Sequence, residues 1–309
     1  MKAVIYTAVG EYSYSNTTKE IPTPQRGQVL IKVECCALNP SDLYMLGGKY
    51  SGNYSFPLVP GVEGSGTVVA SGGGFMAWSI MGKRVAFSRR SDRAGIYSKD
   101  GAYAEYIIAD AMGCISLDAN SSFEKGAGSI VNPISAVGLL DRCLTYKAKA
   151  VIQTGAASQL GRMMIRLLRD SGVPLINIVR RDEQVTLLKE KYGAEHVLNS
   201  ETPDFMTEFK ALSKKLGANV CIECVAGDMT GKVVEAIQKN GIVITYGLLS
   251  EKPMGGIHPI DFMAKNVRFE GFFLPNWMKE KSTWALLRGI AKAKTLIEEV
   301  EIQREFGLH

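Results

Sequence analysis

The sequence predicts an α/β protein with two domains, a compact β-barrel-like domain followed by a doubly wound parallel sheet. Three observations support this prediction. The 309 residues exceed the length that one hydrophobic core usually serves. Short strands separated by Gly and Pro dominate the chain up to about residue 120. From Ser121 onward, helices alternate with short apolar strands, which is the pattern of βαβ units.

Composition and charge exclude several classes of protein. There are 36 Lys and Arg residues against 31 Asp and Glu, and 46% of the residues are hydrophobic. These values argue against a disordered protein and against a dedicated nucleic-acid binder. No apolar run approaches the roughly 20 residues that span a bilayer. Met1–Val9 resembles a strand more than a signal peptide. We therefore expect a cytoplasmic protein, or a mitochondrial one if a presequence has been removed.

The first part of the chain carries strands rich in β-branched and aromatic residues. Turn-forming segments such as Gly47-Gly48 and Gly72-Gly-Gly74 separate them. The predicted strands are Ala3–Tyr6, Gln28–Cys36, Gly66–Ala70, Arg84–Phe87 and Ala102–Ala109.

The second part carries apolar segments of three to seven residues at the spacing of a parallel sheet. The predicted strands are Ala150–Gln153, Leu175–Val179, His196–Leu198, Asn219–Val225, Gly241–Tyr246 and Val267–Phe272. No internal repeat interrupts the alternation.

The six cysteines do not form the pattern of a secreted disulfide framework. Cys221 and Cys224 make a C-x-x-C, but they lie in an apolar segment predicted to be a buried strand. Side chains an odd number of residues apart point to opposite faces of a strand. Core packing is therefore the favoured interpretation, and a redox or metal site is the less favoured one.

The junction between the first strand and helix of the second part carries the strongest chemical pattern. A strand enters the turn Gly155-Ala-Ala-Ser-Gln-Leu-Gly161, and the following helix has an apolar stripe. Small residues at a helix N-terminus let backbone N–H groups approach a pyrophosphate. Aligned on Gly161, however, the glycine positions of G-x-G-x-x-G hold Ala156, Ser158 and Gly161. The turn is thus either a dinucleotide cradle or a tight strand–helix connection.

The next predicted strand ends in Arg180-Arg181, about 25 residues after the turn. Cofactors that lack a 2′-phosphate usually meet an acidic residue at this place. Two guanidinium groups suit a 2′-phosphate instead, so the pair indicates NADPH. Asp182 keeps the alternative cofactor open, and a solvated pair of charges is a third interpretation.

Taken together, these segments resemble the medium-chain dehydrogenase/reductase family, in its zinc-free branch with quinone oxidoreductases and 2-enoyl thioester reductases. The resemblance implies a GroES-like catalytic domain over residues 1–120, a Rossmann dinucleotide-binding domain over 121–274, and a cleft between them. Residues 275–309 would form a shortened C-terminal return toward the catalytic domain. The matching segments are Asn39-Pro-Ser-Asp42, Pro60-Gly-Val-Glu-Gly-Ser-Gly66, Gly82-Lys-Arg-Val-Ala-Phe87, Gly101-Ala-Tyr-Ala-Glu-Tyr106, Val131-Asn-Pro-Ile-Ser-Ala136, Gly155–Gly161, Tyr192-Gly-Ala-Glu-His-Val197 and Gly271-Phe-Phe-Leu274.

The zinc ligands of other family branches are replaced in this sequence. Asn39 stands where zinc-dependent relatives carry a ligand Cys, and Val62 stands where they carry a ligand His. The three histidines all lie beyond the first domain. Catalytic zinc needs three N, S or O ligands around an open position, so no metal is expected.

The resemblance also implies site residues. It places a proton-donating tyrosine at Tyr50, although neighbours such as Tyr44 and Tyr54 leave the choice open. Asn39 would be a second catalytic residue, able to donate to the nicotinamide carboxamide or to substrate, whereas Asp42 is expected to cap the following helix. The implied cofactor-binding residues are Asn132, Ser135, Gly155, Ala156, Ala157, Ser158, Gln159, Leu160, Gly161, Arg180, Arg181, Tyr192, Gly247, Phe272 and Leu274.

The resulting prediction is an NADPH-dependent, zinc-independent reductase that acts on a quinone, an enal or an enoyl thioester. We expect a homodimer or a subunit of a larger complex, with no nucleic acid and no membrane insertion. Family members continue past Glu305-Phe-Gly-Leu308, whereas this chain ends at His309. That difference supports an alternative, a catalytically reduced homologue that serves as a structural subunit of a larger assembly.

Overall fold

The computed structural model describes residues 1–9, 14–48, 56–89 and 98–299. Its contacts divide the chain into two units, one formed by Met1–Val131 and the other beginning at Asn132. No helix in the described ranges is long and apolar enough to cross a membrane.

The first unit is built on antiparallel sheets. Five strands form one sheet in the order β6-β3-β4-β5-β7, and β1 pairs with β2. The strands are β1 (Lys2–Tyr6), β2 (Tyr14–Thr18), β3 (Gln28–Cys36), β4 (Glu63–Ser71), β5 (Arg84–Ser88), β6 (Tyr106–Asp110) and β7 (Ile115–Ser116). The helical segments are α1 (Pro40–Leu46), α2 (Phe75–Ser79), a 3-10 turn (Ala111–Gly113) and α3 (Phe123–Ala127).

The longest strands of this sheet, β3 and β4, contribute side chains to its core together with β5 and β6. Val29, Ile31, Val68 and Phe87 are among the buried side chains that pack together there. The register of β3 on β4 shifts twice, and such irregularities increase the local twist and let a sheet curl.

The second unit contains a six-stranded sheet in which all pairs are parallel. The strand order β10-β9-β8-β11-β12-β13 reverses direction between β8 and β11. The strands are β8 (Val151–Gln153), β9 (Leu175–Val179), β10 (His196–Asn199), β11 (Val220–Glu223), β12 (Ile242–Thr245) and β13 (Arg268–Gly271). This is the doubly wound arrangement that the alternating pattern predicts.

Helices connect these strands, precede the first of them and follow the last. They are α4 (Val131–Thr145), which precedes β8, then α5 (Gln159–Asp170), α6 (Asp182–Glu190), α7 (Phe205–Leu216), α8 (Asp228–Ala236), α9 (Pro259–Lys265), α10 (Leu274–Glu280) and α11 (Thr283–Glu299). The apolar stripe of α5 is buried, as its spacing predicts, and includes Met163 and Leu167.

Most predicted strands are found within one or two residues of their predicted bounds. The prediction was wrong for Ala102–Glu105, which lies outside β6. The N–H groups of Ala102 and Tyr103 donate to the loop residues Gly61 and Pro60, and the rest of the segment meets β1 only through isolated hydrogen bonds and one bridge. The sequence analysis also missed β2 and β7. The favoured interpretation of the C-x-x-C is confirmed, since Cys221 and Cys224 are both buried free thiols.

Candidate functional site

The glycine turn lies at the carboxyl end of β8, beside the point where the strand order reverses. Gly155 has φ +60°, a conformation that side chains disfavour. Ser158 then caps α5, because its hydroxyl accepts a hydrogen bond from the Gly161 N–H at 3.1 Å. The carboxyl ends of strands at such a reversal are where open α/β sheets bind ligands.

Gly161 is the one glycine position that the sequence retains, and the structure explains why. A Cβ at Gly161 would lie 2.4 Å from the Ala156 carbonyl oxygen, so any side chain would push the helix away from the turn. Ala156 is buried and its N–H bonds to Ile178 in β9. The substitution of glycine by alanine at this position is thus accommodated inside the sheet.

The N-terminus of α5 offers free donors. Among the described residues, the N–H groups of Gln159 and Leu160 have no hydrogen-bond acceptor. Unpaired N–H groups and the helix dipole both favour an anion at this position. The turn can therefore hold a phosphate group.

Asn132, in the first turn of α4, is brought to this turn. Its Nδ2 donates to Gln159 Oε1 at 3.0 Å. Ser135, one turn further along α4, is buried. The cofactor-binding role that the resemblance implies for Asn132 and Ser135 stays a prediction.

A buried polar cluster, which the sequence analysis missed, underlies the turn. Thr154 Oγ1 accepts from the Cys224 N–H at 2.9 Å and donates to Glu223 Oε1 at 3.3 Å. The same Glu223 oxygen accepts from the N–H groups of Val225 and Ala226, both at 2.8 Å. Burial raises the pKa of Glu223 in spite of these bonds.

Cys224 lies directly under the turn. A Cβ at Gly155 would lie 2.7 Å from its Sγ, and a Cβ at Gly247 would lie 3.0 Å from its Cβ. The carboxyl ends of β8, β11 and β12 therefore meet closely at this thiol. Burial raises the pKa of Cys224 to about 11, so the thiol is a neutral packing group. A small residue is required on each side of it, which explains Gly247.

The two arginines after β9 are exposed at the start of α6. Arg181 occupies the N-cap position, and the Arg180 N–H donates to Gln184 Oε1 at 3.1 Å. No carboxylate in the described part of the chain forms an ion pair with either guanidinium. The Asp182 carboxylate instead accepts from Asn199 Nδ2 at 2.7 Å, which holds it on β10. Both arginines are thus available to an anionic ligand.

Three of the implied cofactor residues, Tyr192, Phe272 and Leu274, form no hydrogen bond with the turn in the described part of the chain. The Tyr192 hydroxyl accepts from Arg162 Nη1 at 3.0 Å, and its ring lies under that guanidinium. Tyr192 lies between α6 and β10, so it precedes the strand. Phe272 packs against Gly138 of α4, and Leu274 begins α10. Their implied role is untested by these positions.

In the first unit, Asn39 is part of a second buried network. Its backbone N–H donates to Asp42 Oδ2 at 3.0 Å, and its Nδ2 donates to Glu63 Oε1 at 3.1 Å. Asp42 therefore caps α1, as the sequence predicts. The Tyr103 hydroxyl donates to the same Asp42 oxygen at 3.1 Å. Burial raises the pKa of Asp42. Tyr50, the implied proton donor, lies outside the described residues.

The two replaced zinc positions do not supply a ligand set. The Asn39 amide is engaged by Glu63, and Val62 is a buried apolar side chain. In the described ranges, no three or more His, Cys, Asp or Glu residues lie together as metal ligands would. These residues do not fit a catalytic zinc.

Comparisons with known proteins agree with this architecture. Residues 25–119 match the alcohol dehydrogenase GroES-like domain, and residues 160–289 match the zinc-binding dehydrogenase domain. A Mesorhizobium loti structure described as an NADPH:quinone reductase is 32% identical, with a TM-score of 0.84 over 97% of this chain and 88% of that chain. The mitochondrial enoyl-[acyl-carrier-protein] reductase of Arabidopsis thaliana is 27% identical over 90% of this chain and 73% of its own length. The quinone oxidoreductase of Mus musculus is 27% identical over 84% and 76%.

A GroES-like unit joined to a doubly wound nucleotide-binding sheet defines the class of two-domain dehydrogenases and reductases. The chain belongs to the medium-chain dehydrogenase/reductase family, and it is an oxidoreductase. The predictions of fold and family are therefore confirmed.

Proposed function

We propose that the protein is an NADPH-dependent, zinc-independent reductase that transfers hydride to a quinone, an enal or an enoyl thioester. The observation that carries the proposal is the presence of both the Ser158-capped turn and the guanidinium groups of Arg180 and Arg181, which form no ion pair among the described residues. One site suits a pyrophosphate and the other suits a 2′-phosphate.

The cofactor residues have distinct roles in this proposal. The N–H groups of Gln159 and Leu160 bind the pyrophosphate, and Gly161 keeps the helix close to the turn. Arg180 and Arg181 bind the 2′-phosphate. Bound NADPH would supply the hydride. The remaining cofactor-binding residues of the proposal are Asn132, Ser135, Gly155, Ala156, Ala157, Ser158, Tyr192, Gly247, Phe272 and Leu274.

Two residues of the first unit act on the acceptor. Asn39 hydrogen-bonds to the substrate or to the nicotinamide carboxamide. After hydride addition, the Tyr50 phenol donates a proton to the reduced acceptor, which a group of pKa about 10 can do for a developing enolate. For a conjugated carbonyl, the product then carries one added hydride and one added proton.

The names of the relatives support the acceptor class without selecting one acceptor. Relatives include both quinone oxidoreductases and enoyl-[acyl-carrier-protein] reductases at similar identity. The alternative of a catalytically reduced structural subunit is not favoured, because these relatives are named as enzymes.

A panel of acceptors tests the proposal. Purified protein is mixed with NADPH and a quinone, an enal or an enoyl thioester, and the nicotinamide absorbance is followed. We expect turnover with at least one class. No turnover with any of them, together with no NADPH binding by calorimetry, would contradict the proposal.

Tyr50 has a matched control in Tyr54. Tyr50→Phe should lower the rate with enal or thioester by roughly 100-fold, the scale of a lost general acid. Tyr54→Phe should leave the rate nearly unchanged. Equal rates for the two variants would remove Tyr50 from the mechanism.

We also propose a cytoplasmic homodimer. In the described chain β13 is an edge strand of its sheet, and the neighbouring α9 exposes Ile260 and Met263 at 64% and 67%. Exposed strand edges and apolar side chains favour association. Sedimentation of the pure protein would detect a monomer if the proposal is wrong, and cell fractionation tests the compartment.

A further inference from the structure

The carboxylate of Glu63 is buried without a cationic partner. Glu63 begins β4 and is 0% exposed, and no ion pair within the described ranges includes it. Its Oε2 accepts from the N–H groups of Ile130, at 3.1 Å, and Val131, at 2.9 Å. These are the N–H groups at the start of α4. Its Oε1 accepts from Asn39 Nδ2 at 3.1 Å.

These contacts decide how the Asn39 amide is oriented. Above about pH 7 the Glu63 carboxylate is ionised and has only acceptors, whereas an Asn amide has a donor end and an acceptor end. Glu63 can therefore hold only the Nδ2 end of the amide. The backbone of Asn39 is held separately, through its N–H bond to Asp42. The amide of Asn39 is held at both ends, because the capping box of α1 sets its acceptor end against the Asp42 backbone N–H and Glu63 accepts from its Nδ2 end.

We infer that Glu63 is a positioning residue. It fixes the Asn39 amide with Nδ2 toward the Glu63 carboxylate and Oδ1 turned away from that carboxylate. The inference rests on the proposed function, because Asn39 contacts substrate or cofactor only there. Glu63 itself touches neither. Its side chain joins the residue expected to act on the acceptor to the backbone at the start of α4.

Replacing Glu63 with Gln should favour the reversed amide of Asn39, at the expense of its contact with the Asp42 backbone N–H. Gln has the same shape, but one end of it is an NH2 group. The two N–H groups at the start of α4 need an acceptor, so the Gln oxygen should face them. The NH2 group of the Gln then faces Asn39, and Asn39 must turn Oδ1 toward it to accept its hydrogen bond. The variant should fold normally, but its Asn39 amide should be reversed toward the substrate or cofactor.

The test is a double-mutant cycle in the full-length protein. The variants are Glu63→Gln, Asn39→Ala and the double variant, with Glu105→Gln as control because Glu105 is an exposed carboxylate in the same unit. kcat/KM is measured with NADPH and the best acceptor of the panel. Glu63→Gln should lower it roughly tenfold, the scale of one hydrogen bond. In the Asn39→Ala background, Glu63→Gln should lower kcat/KM no further, because the residue through which Glu63 acts is absent.

The contrary outcomes are distinct. An equal loss in both backgrounds, or no loss in the wild-type background, would overturn the inference. If the wild type reduces no acceptor, the proposed function fails, and the Asn39 side-chain NMR signal tests the inference alone. That signal, assigned by its loss in Asn39→Ala, should shift in Glu63→Gln and stay in Glu105→Gln. An unchanged signal in Glu63→Gln would overturn the positioning role.

Discussion

Neutralising Glu63 should remove a pH-dependent cost to stability. Burial raises the pKa of this carboxyl from 4.5 to about 7, although Val131, Asn39 and Ile130 donate hydrogen bonds to it. The Asp42 charge on α1 raises the pKa of Glu63 further. The Arg89 charge, after β5, works in the lowering direction on the pKa of Asp42 itself. A difference of about 2.5 in pKa, from 4.5 to about 7, corresponds to about 3 kcal/mol.

The direction of the effect follows from proton binding. The folded state binds this proton more tightly than the unfolded state does. Between pH 4.5 and about 7 the folded state therefore holds more protons, and its stability falls as the pH rises. Above about pH 7 the full cost is present. A Gln at this position does not titrate, so Glu63→Gln should gain up to about 3 kcal/mol relative to wild type between about pH 5 and pH 8.

Urea unfolding at several pH values measures this gain. Wild type, Glu63→Gln and Glu105→Gln are compared by their free energies of unfolding at about pH 5, 6, 7 and 8. Only the difference between wild type and Glu63→Gln should grow with pH, because other titrating groups are common to both. A difference that stays constant across the range would refute the assignment of a raised pKa to Glu63.

Three further predictions concern cofactor and metal. Arg180→Ala should weaken NADPH binding by roughly one to two powers of ten and leave NADH binding nearly unchanged; calorimetry that finds both weakened equally would contradict a 2′-phosphate contact. Gly161→Ala should lower NADPH affinity, because its Cβ would lie 2.4 Å from the Ala156 carbonyl oxygen. The control Gly113→Ala, where a Cβ meets open space, should bind NADPH as wild type does. Equal NADPH affinities for the two variants would contradict the need for glycine at this position of the turn. Elemental analysis should find no stoichiometric zinc and chelators should leave activity unchanged, since Asn39 and Val62 are not zinc ligands; one tightly held zinc per chain would contradict this.

Much of the fold was predictable because its signals are local. The alternation of apolar strands and helices predicted the parallel sheet, and Gln28–Cys36 and Leu175–Val179 were predicted with the bounds that the structure has. The turn from Gly155 to Gly161 was recognisable by residue size and position alone. By contrast, β2 and β7 are short strands that depend on a partner strand, which periodicity does not detect.

The polar networks were not predictable from the sequence. Glu63 lay within a recognised motif, but nothing local indicated that its two oxygens would reach Asn39 and the start of α4. Thr154 and Glu223 are 69 residues apart, and their contact exists only because β8 and β11 are neighbours. Such pairs depend on sheet order, which a single sequence does not encode in any one segment.

The sequence by itself determined the order of the elements in the parallel sheet, the small-residue turn from Gly155 to Gly161 and the two arginines after β9, because each depends on residues adjacent in the chain. Only the tertiary structure decided which partners the side chains around the turn and the two arginines bind. It held Asp182 on Asn199 and left Arg180 and Arg181 without an ion pair to any residue that the structure describes. It also placed Cys224 beneath the turn. Burial and long-range contacts set these states, and they arise only when distant segments pack together.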